Sequence, residues 1–233
     1  MLDSLLTPVR KHTKRFTVYR GDEETDLEAK FSAHNVNVGH RELPPGGPDP
    51  FVVIENDGEF AGALPLEQLE NLLEPPITRP VERDDVSKGY RVLFEVLDET
   101  VFTTMERRQL LAISREIEDR AFRTGTGTLR VGFQTLSAFE PQVEVYRTLA
   151  TETDLDIHIH AVDDWVPPEI PGVTYHEYAE DRDERYWILA FDGGADASRA
   201  CGLVAKQRSD GYDGFWTDDS EIVADIAAEL TGE

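Results

Sequence analysis

Cysteine is nearly absent from this chain. The single thiol, Cys201, excludes an intramolecular disulfide and a thiolate metal cluster. Its place in the run Ala200-Cys201-Gly202-Leu203-Val204-Ala205 reads as a small core residue. Long apolar runs are missing too. Nothing approaches the roughly 18 apolar residues of a membrane span, and the N-terminus has no signal-peptide apolar region. A cytoplasmic location without membrane partners is the expectation. Positive charge is the third scarcity: 23 basic residues stand against 47 acidic ones, a formal charge of −24, and only 5 of the 23 are lysine.

What is present makes that acidity informative. The 233 residues include 21 aromatics and 39% hydrophobic residues, enough for a real core, which argues against an acidic disordered chain. An acidic excess on a globular sequence suits molar salt, where the screening length falls to about 3 Å and self-repulsion fades. The same charge opposes nucleic acid as a main partner, because phosphates are repelled over most of the surface. One local exception is the basic segment Arg10, Lys11, His12, Lys14, Arg15 and Arg20, which reads as a solvated helix end.

Periodicity divides the chain in two. Leu2, Leu5, Leu6 and Val9 share a helical face; strands are expected at 16–19 and 36–40, with a short helix at about 25–33 between them. Phe51–Glu55 and Glu59–Ala63 flank Asn56-Asp57-Gly58, whose Asp-Gly supplies the positive φ values of a tight hairpin. Leu66, Leu69, Leu72 and Leu73 continue as an amphipathic helix, and Pro75, Pro76 and Pro80 mark a boundary. A small α+β domain at 1–80 and an α/β domain at 84–233 follow.

In the second part, helices are expected at 84–98 and 104–123, then a strand at 129–133, a helix at 139–151 and a strand at 155–162. That order implies a parallel crossover. Further strands are expected at 185–191 and 200–206, and a last helix from Asp218, where Glu221 suggests a capping box. The fold class expected is α/β, with a mixed, largely parallel sheet flanked by helices.

Candidate chemistry is thin. Gly125-Thr126-Gly127-Thr128 follows a helix and opens a strand, the reverse of a phosphate loop and the order of a helix C-cap. His158 and His160 alternate on one strand face like metal ligands, with His176 as a distant third. The reading preferred is structural: Ile157 and Ile159 face the core, the histidines face a helix or water, and no metal is expected. Neither a Gly-x-Ser-x-Gly elbow nor a cyclase or kinase signature occurs, so no catalytic residue is assigned. Open α/β sheets bind ligands beyond the carboxyl ends of their strands. Phe133, Gln134, Phe139, Tyr146 and Trp165 fall there, with Val166-Pro167-Pro168 stiffening the last, and form the candidate ligand site.

Several motifs then recur in order: Leu111-x-x-Ser114-x-x-Ile117-Glu118-Asp119, Val131-Gly132-Phe133-Gln134, the spacing of Phe139, Tyr146 and Leu149-Ala150, and Gly-Phe-Trp-Thr-Asp-Asp at 214–219. From about residue 104 onward the chain resembles the DICT sensory domain of diguanylate cyclases and two-component systems. Its first half resembles the part that precedes this core in haloarchaeal members. The resemblance implies a signal-input module, found beside kinases, cyclases or regulators. With no output domain in the chain, a separate output partner, or the N-terminal half, is implied. The leading expectation is therefore a cytoplasmic sensor or adaptor of haloarchaeal signalling that binds a small ligand or a partner protein. Two alternatives are a small-molecule hydrolase or nucleotide-utilising enzyme, and a transcription-associated regulator contacting DNA through its basic segment. No cofactor is named by the residues.

Overall fold

The computed structural model describes residues 14–21, 36–73, 101–178 and 186–232. The expected helices at 2–9, 25–33 and 84–98, and the domain boundary near 75–84, fall wholly or almost wholly outside them.

Four strands make the first sheet: β1 (Lys14–Arg20), β2 (Val36–Glu42), β3 (Phe51–Asn56) and β4 (Glu59–Pro65), in the order β2-β1-β3-β4. β1 runs parallel to β2 and antiparallel to β3. The β3–β4 hairpin turns on Asp57 (φ 50) and Gly58 (φ 87), the pair of positive φ values that the Asp-Gly dipeptide predicts. Alternation sends Phe16, Val18, Val52, Ile54 and Leu64 inward, beside Leu66 and Leu69 of helix α1 (Leu66–Leu73).

The second sheet has seven strands in the order β5-β11-β10-β9-β6-β7-β8. In chain order its elements are β5 (Val101–Met105), α2 (Arg107–Thr124), β6 (Thr126–Thr135), α3 (Leu136–Phe139), α4 (Val143–Glu152), β7 (Asp154–Val162), β8 (Val173–Glu177), β9 (Tyr186–Phe191), β10 (Cys201–Gln207), β11 (Tyr212–Thr217) and α5 (Ser220–Thr231). The mixed α/β class with flanking helices holds. Parallel pairing is confined to β6, β7 and β8, a smaller share than expected; the other pairs are antiparallel. The cause is local. Only β6–β7 has a helical crossover, whereas short turns join β9 to β10 and β10 to β11, and these force antiparallel neighbours.

Residues 101–105, partly read as the start of a helix, form a strand instead. The helix begins after Glu106, with Leu110, Ile113, Ile117 and Ala121 buried at helical spacing. It ends as expected: Gly125, at φ 72, donates its N–H to the Ala121 carbonyl at 2.9 Å. The last helix is capped one residue later than expected. Asp219 accepts from the Glu221 and Ile222 N–H groups, and Asp218 is instead paired with Arg120 at 2.8 Å.

The two faces of this sheet are unlike. On one lie Leu129, Val131, Ile157, Ile159, Leu189 and Leu203, under α2, α3 and α4. The other is apolar beneath α5, where Ile188, Val204 and Phe215 meet Val223, Ile226 and Leu230. Beyond α5, over β7 and β8, that face becomes polar.

Candidate ligand site

Phe133 sits near the carboxyl end of β6 and points to the α2–α4 face. Its ring centroid lies 5.5 Å from Phe139, 6.5 Å from Tyr146 and 6.1 Å from Trp187, and Phe139 lies 5.3 Å from Tyr146. All three of Phe133, Phe139 and Tyr146 are buried, and Tyr146 meets both phenylalanine rings edge-on. Trp165, half-buried, packs on the same core. Gln134 follows Phe133 where the β6–β7 register shifts, and its amide lies 3.4 Å from the side-chain oxygen of Gln207, which is in register with Tyr212 of the same core. Phe133, Phe139 and Tyr146 are thus brought together, and Trp165 packs on the large core to which they belong.

That strand end is built by hydrogen bonds. Asp164, after β7, accepts from the Ser137 N–H at 2.8 Å and from its hydroxyl at 2.5 Å, tying the β7 loop to the start of α3. The Ser137 hydroxyl, then its N–H, hold the Asp164 carboxyl below its usual range. Behind the aromatic trio, the Tyr146 hydroxyl donates to Glu118 at 2.8 Å, and Glu118 pairs with Arg115, which also reaches Gln142. Burial first, then the Glu118 carboxylate, push the Tyr146 phenol well above its ordinary range.

The histidines occupy the polar face. Ile157 and Ile159 are fully buried on the core side, which leaves His158 and His160 on the other, as expected. β8 adds His176, in register with His160 and stacked on it at 4.5 Å. His158 Nε2 lies 3.0 Å from the Asp156 carboxylate, and its Nδ1 lies 2.8 Å from His176 Nε2. With Asp156 ionised, His158 donates from Nε2, so its Nδ1 accepts from His176. These nitrogens bond to one another rather than converge on a point. Among the described residues no group of three His, Cys, Asp or Glu is placed to hold a metal ion. Burial first, then the nearby His158 and Arg130, lower the His176 pKa.

Cys201 is fully buried in the core, and burial pushes its thiol up to about 12. The folded protein should therefore resist iodoacetamide at pH 8, with one thiol per chain appearing on denaturation. Rapid labelling of the native protein would contradict this burial.

No curated protein matches the chain. Residues 90–208, half of the chain, match the family described as the sensory domain in diguanylate cyclases and two-component systems. The chain belongs to the DICT family. Among solved structures, polyphosphate kinase from Porphyromonas gingivalis aligns with 97% of this chain and 47% of its own length. The identity is 12% and the TM-score 0.39, too low to support any inference. This chain spans about half of that protein's length.

Within the DICT stretch, the motif residues are structural wiring. Ser114 donates to the Leu110 carbonyl, Ile117 enters the core, Glu118 holds Tyr146, and Asp119 pairs with Arg123. The match ends at residue 208, before β11, yet β11 lies between β10 and β5 in the sheet. Residues past the match therefore complete this DICT sheet. Among the described residues no helix is long and apolar enough to cross a membrane.

Proposed function

We propose that this DICT protein is a cytoplasmic input module that binds a small ligand at the carboxyl edge of β6 and β7 and passes the state of that site to a separate output protein, a kinase or regulator. The family match carries the reading: a sensory domain is a signal-input part. In this proposal the buried Phe133, Phe139 and Tyr146 form a rigid back wall, while half-buried Trp165 and Gln134 are the groups a ligand reaches. The Asp164–Ser137 clasp sits at the same edge, so a ligand that moves Trp165 also loads the start of α3. Residues 1–80 form a separate small domain in this reading and offer the output surface. The acidic composition fits a haloarchaeal cytoplasm, where molar salt screens it.

Native mass spectrometry of protein purified from its own host tests the site. A co-purified small molecule should be present, and Trp165→Ala should weaken its binding by about 1–3 kcal/mol, the value of a buried aromatic side chain. The fold should survive, because Trp165 is not part of the fully buried core. A bound molecule retained equally by Trp165→Ala and Gln134→Ala would refute this placement.

A further inference from the structure

We propose a second binding site, distinct from the carboxyl edge: the groove beside α5 takes a small organic anion, its head on the Arg130 guanidinium and its slim apolar body along the alanines of the helix. The groove encloses about 550 Å³, a volume within the range of small-molecule sites. Its floor is Thr128 and Arg130 of β6 and Ala190 of β9; its wall is α5, through Ala224, Ala227 and Ala228.

Sequence accounts for the space. Leu129 and Val131 turn into the core, so Arg130 must emerge on the α5 face, and its cross-strand neighbour on β9 is Ala190, too small to fill the volume above it. Alanines at positions 224, 227 and 228 recur at helical spacing and keep the facing wall low. Larger apolar residues at these positions would have closed the groove, as Val223, Ile226 and Leu230 close the rest of the α5 interface.

Arg130 is the second observation. The chain has two acidic residues for every basic one, and Arg115, Arg120, Arg123, Arg199 and Arg208 each pair with a carboxylate. Arg130, half-buried in a central strand, has neither an ion pair nor a side-chain hydrogen bond among the described residues. The groove's one carboxylate does not answer it by charge alone: Asp192 Oδ1 already accepts from the Thr128 and Gly194 N–H groups. A guanidinium held ready in a small apolar groove matches a carboxylate or phosphate monoester head, which it can bind bidentately. The hydroxyl residues Ser220 and Thr231, on the groove wall, suit the rest of such a molecule.

The histidine cluster gives an independent readout. Around His176 lie Arg130 of β6, Asp156, His158 and His160 of β7, and Tyr178 just past β8. Arg130 is one of the charges that lower the His176 pKa. An anion on Arg130 cancels that charge, so His176 should titrate higher in the complex. By linkage, binding should tighten as pH falls through the window below about 6.5, the ordinary histidine value.

Calorimetry on the full chain at constant ionic strength, with hexanoate, hexyl phosphate, inorganic phosphate and hexylamine, tests the site. Saturable 1:1 binding of hexanoate or hexyl phosphate is expected, and whichever binds identifies the head. Arg130→Gln should weaken it about tenfold or more, Arg130→Lys less, as expected for loss of a charge-assisted bond. Ala227→Phe should block it, Arg147→Gln should leave it unchanged, and the ligand-induced rise of the His176 pKa should vanish in Arg130→Gln. The proposal fails if neither organic anion binds, if hexylamine or inorganic phosphate binds as well, or if Arg130→Gln binds like the parent.

Discussion

Gly127→Ala is expected to destabilise the fold by at least ~3 kcal/mol, measured by urea denaturation. Two turns interlock at this point. Gly127 has φ 109, and a Cβ there would meet Asp192 Oδ1 at 2.5 Å, Gly194 Cα at 2.6 Å and the Gly194 nitrogen at 2.7 Å. Two of these are backbone atoms, and Asp192 is fixed by its bonds to the N–H groups of Thr128 (3.0 Å) and Gly194 (2.8 Å), so none can yield cheaply. Positive φ adds strain of its own for an alanine. The clash is reciprocal: a Cβ on Gly194, at φ 63, would meet the Thr126 carbonyl oxygen at 2.6 Å. Gly194→Ala should therefore be comparably damaging, and the double variant should lose less than the sum, because either change already separates the turns. Gly62→Ala, with nothing within 4 Å, is the control and should lie within about 0.5 kcal/mol of the parent. A Gly127→Ala protein as stable as that control would mean the turns do not dock.

This contact also marks what could be read from sequence. Asp192-Gly193-Gly194 and Gly125-Thr126-Gly127 each carry turn-forming glycines, but the 64-position separation of Thr128 and Asp192 hides their contact. Local signals carried well where chemistry is local. The Asp57-Gly58 hairpin and the Gly125 cap follow from φ alone, and the burial of Ile157 and Ile159 follows from alternation. Strands held by neighbours were not legible. β11 carries Asp213 and Gly214, both poor strand formers, and its register shifts between Tyr212 and Gly214 where it meets β5. β8, at the sheet edge after a Pro-Pro loop, needs only five residues. Of the candidate ligand residues, Phe133, Phe139 and Tyr146 pack together in the core, since one strand face and two following helical segments converge. Arg130 gave no signal, because its meaning lies in the carboxylate it lacks.

Glu118→Ala is the second large loss expected, about 3 kcal/mol or more in the same assay. Glu118 is 3% exposed on α2, and its carboxylate holds two groups of different kinds. Arg115, one turn earlier, pairs with it, and the Tyr146 hydroxyl, fully buried on α4, donates to it at 2.8 Å. Removing the carboxylate strands a largely buried guanidinium and a buried phenol, whereas Arg115 alone can still reach Gln142. That remaining bond sets the loss at the low end for breaking a buried pair. Tyr146→Phe keeps the Arg115–Glu118 pair and should cost about 1.5–3 kcal/mol, the value of a hydrogen bond to a charged group. Glu118→Ala and Tyr146→Phe share one bond, so the double variant should fall short of additivity. The pH dependence separates this network from mere packing. The Tyr146 phenol titrates higher in the folded than in the unfolded protein, where it ionises near 10. Its stabilisation is therefore complete below about pH 10 and disappears as pH rises toward the folded value. The parent should lose stability more steeply than Tyr146→Phe above pH 10, since phenylalanine cannot ionise. Parallel curves for the two proteins would show that the hydroxyl is not held by Glu118. Because Tyr146 packs on Phe133 and Phe139, this carboxylate fixes the wall against which Trp165 is proposed to work.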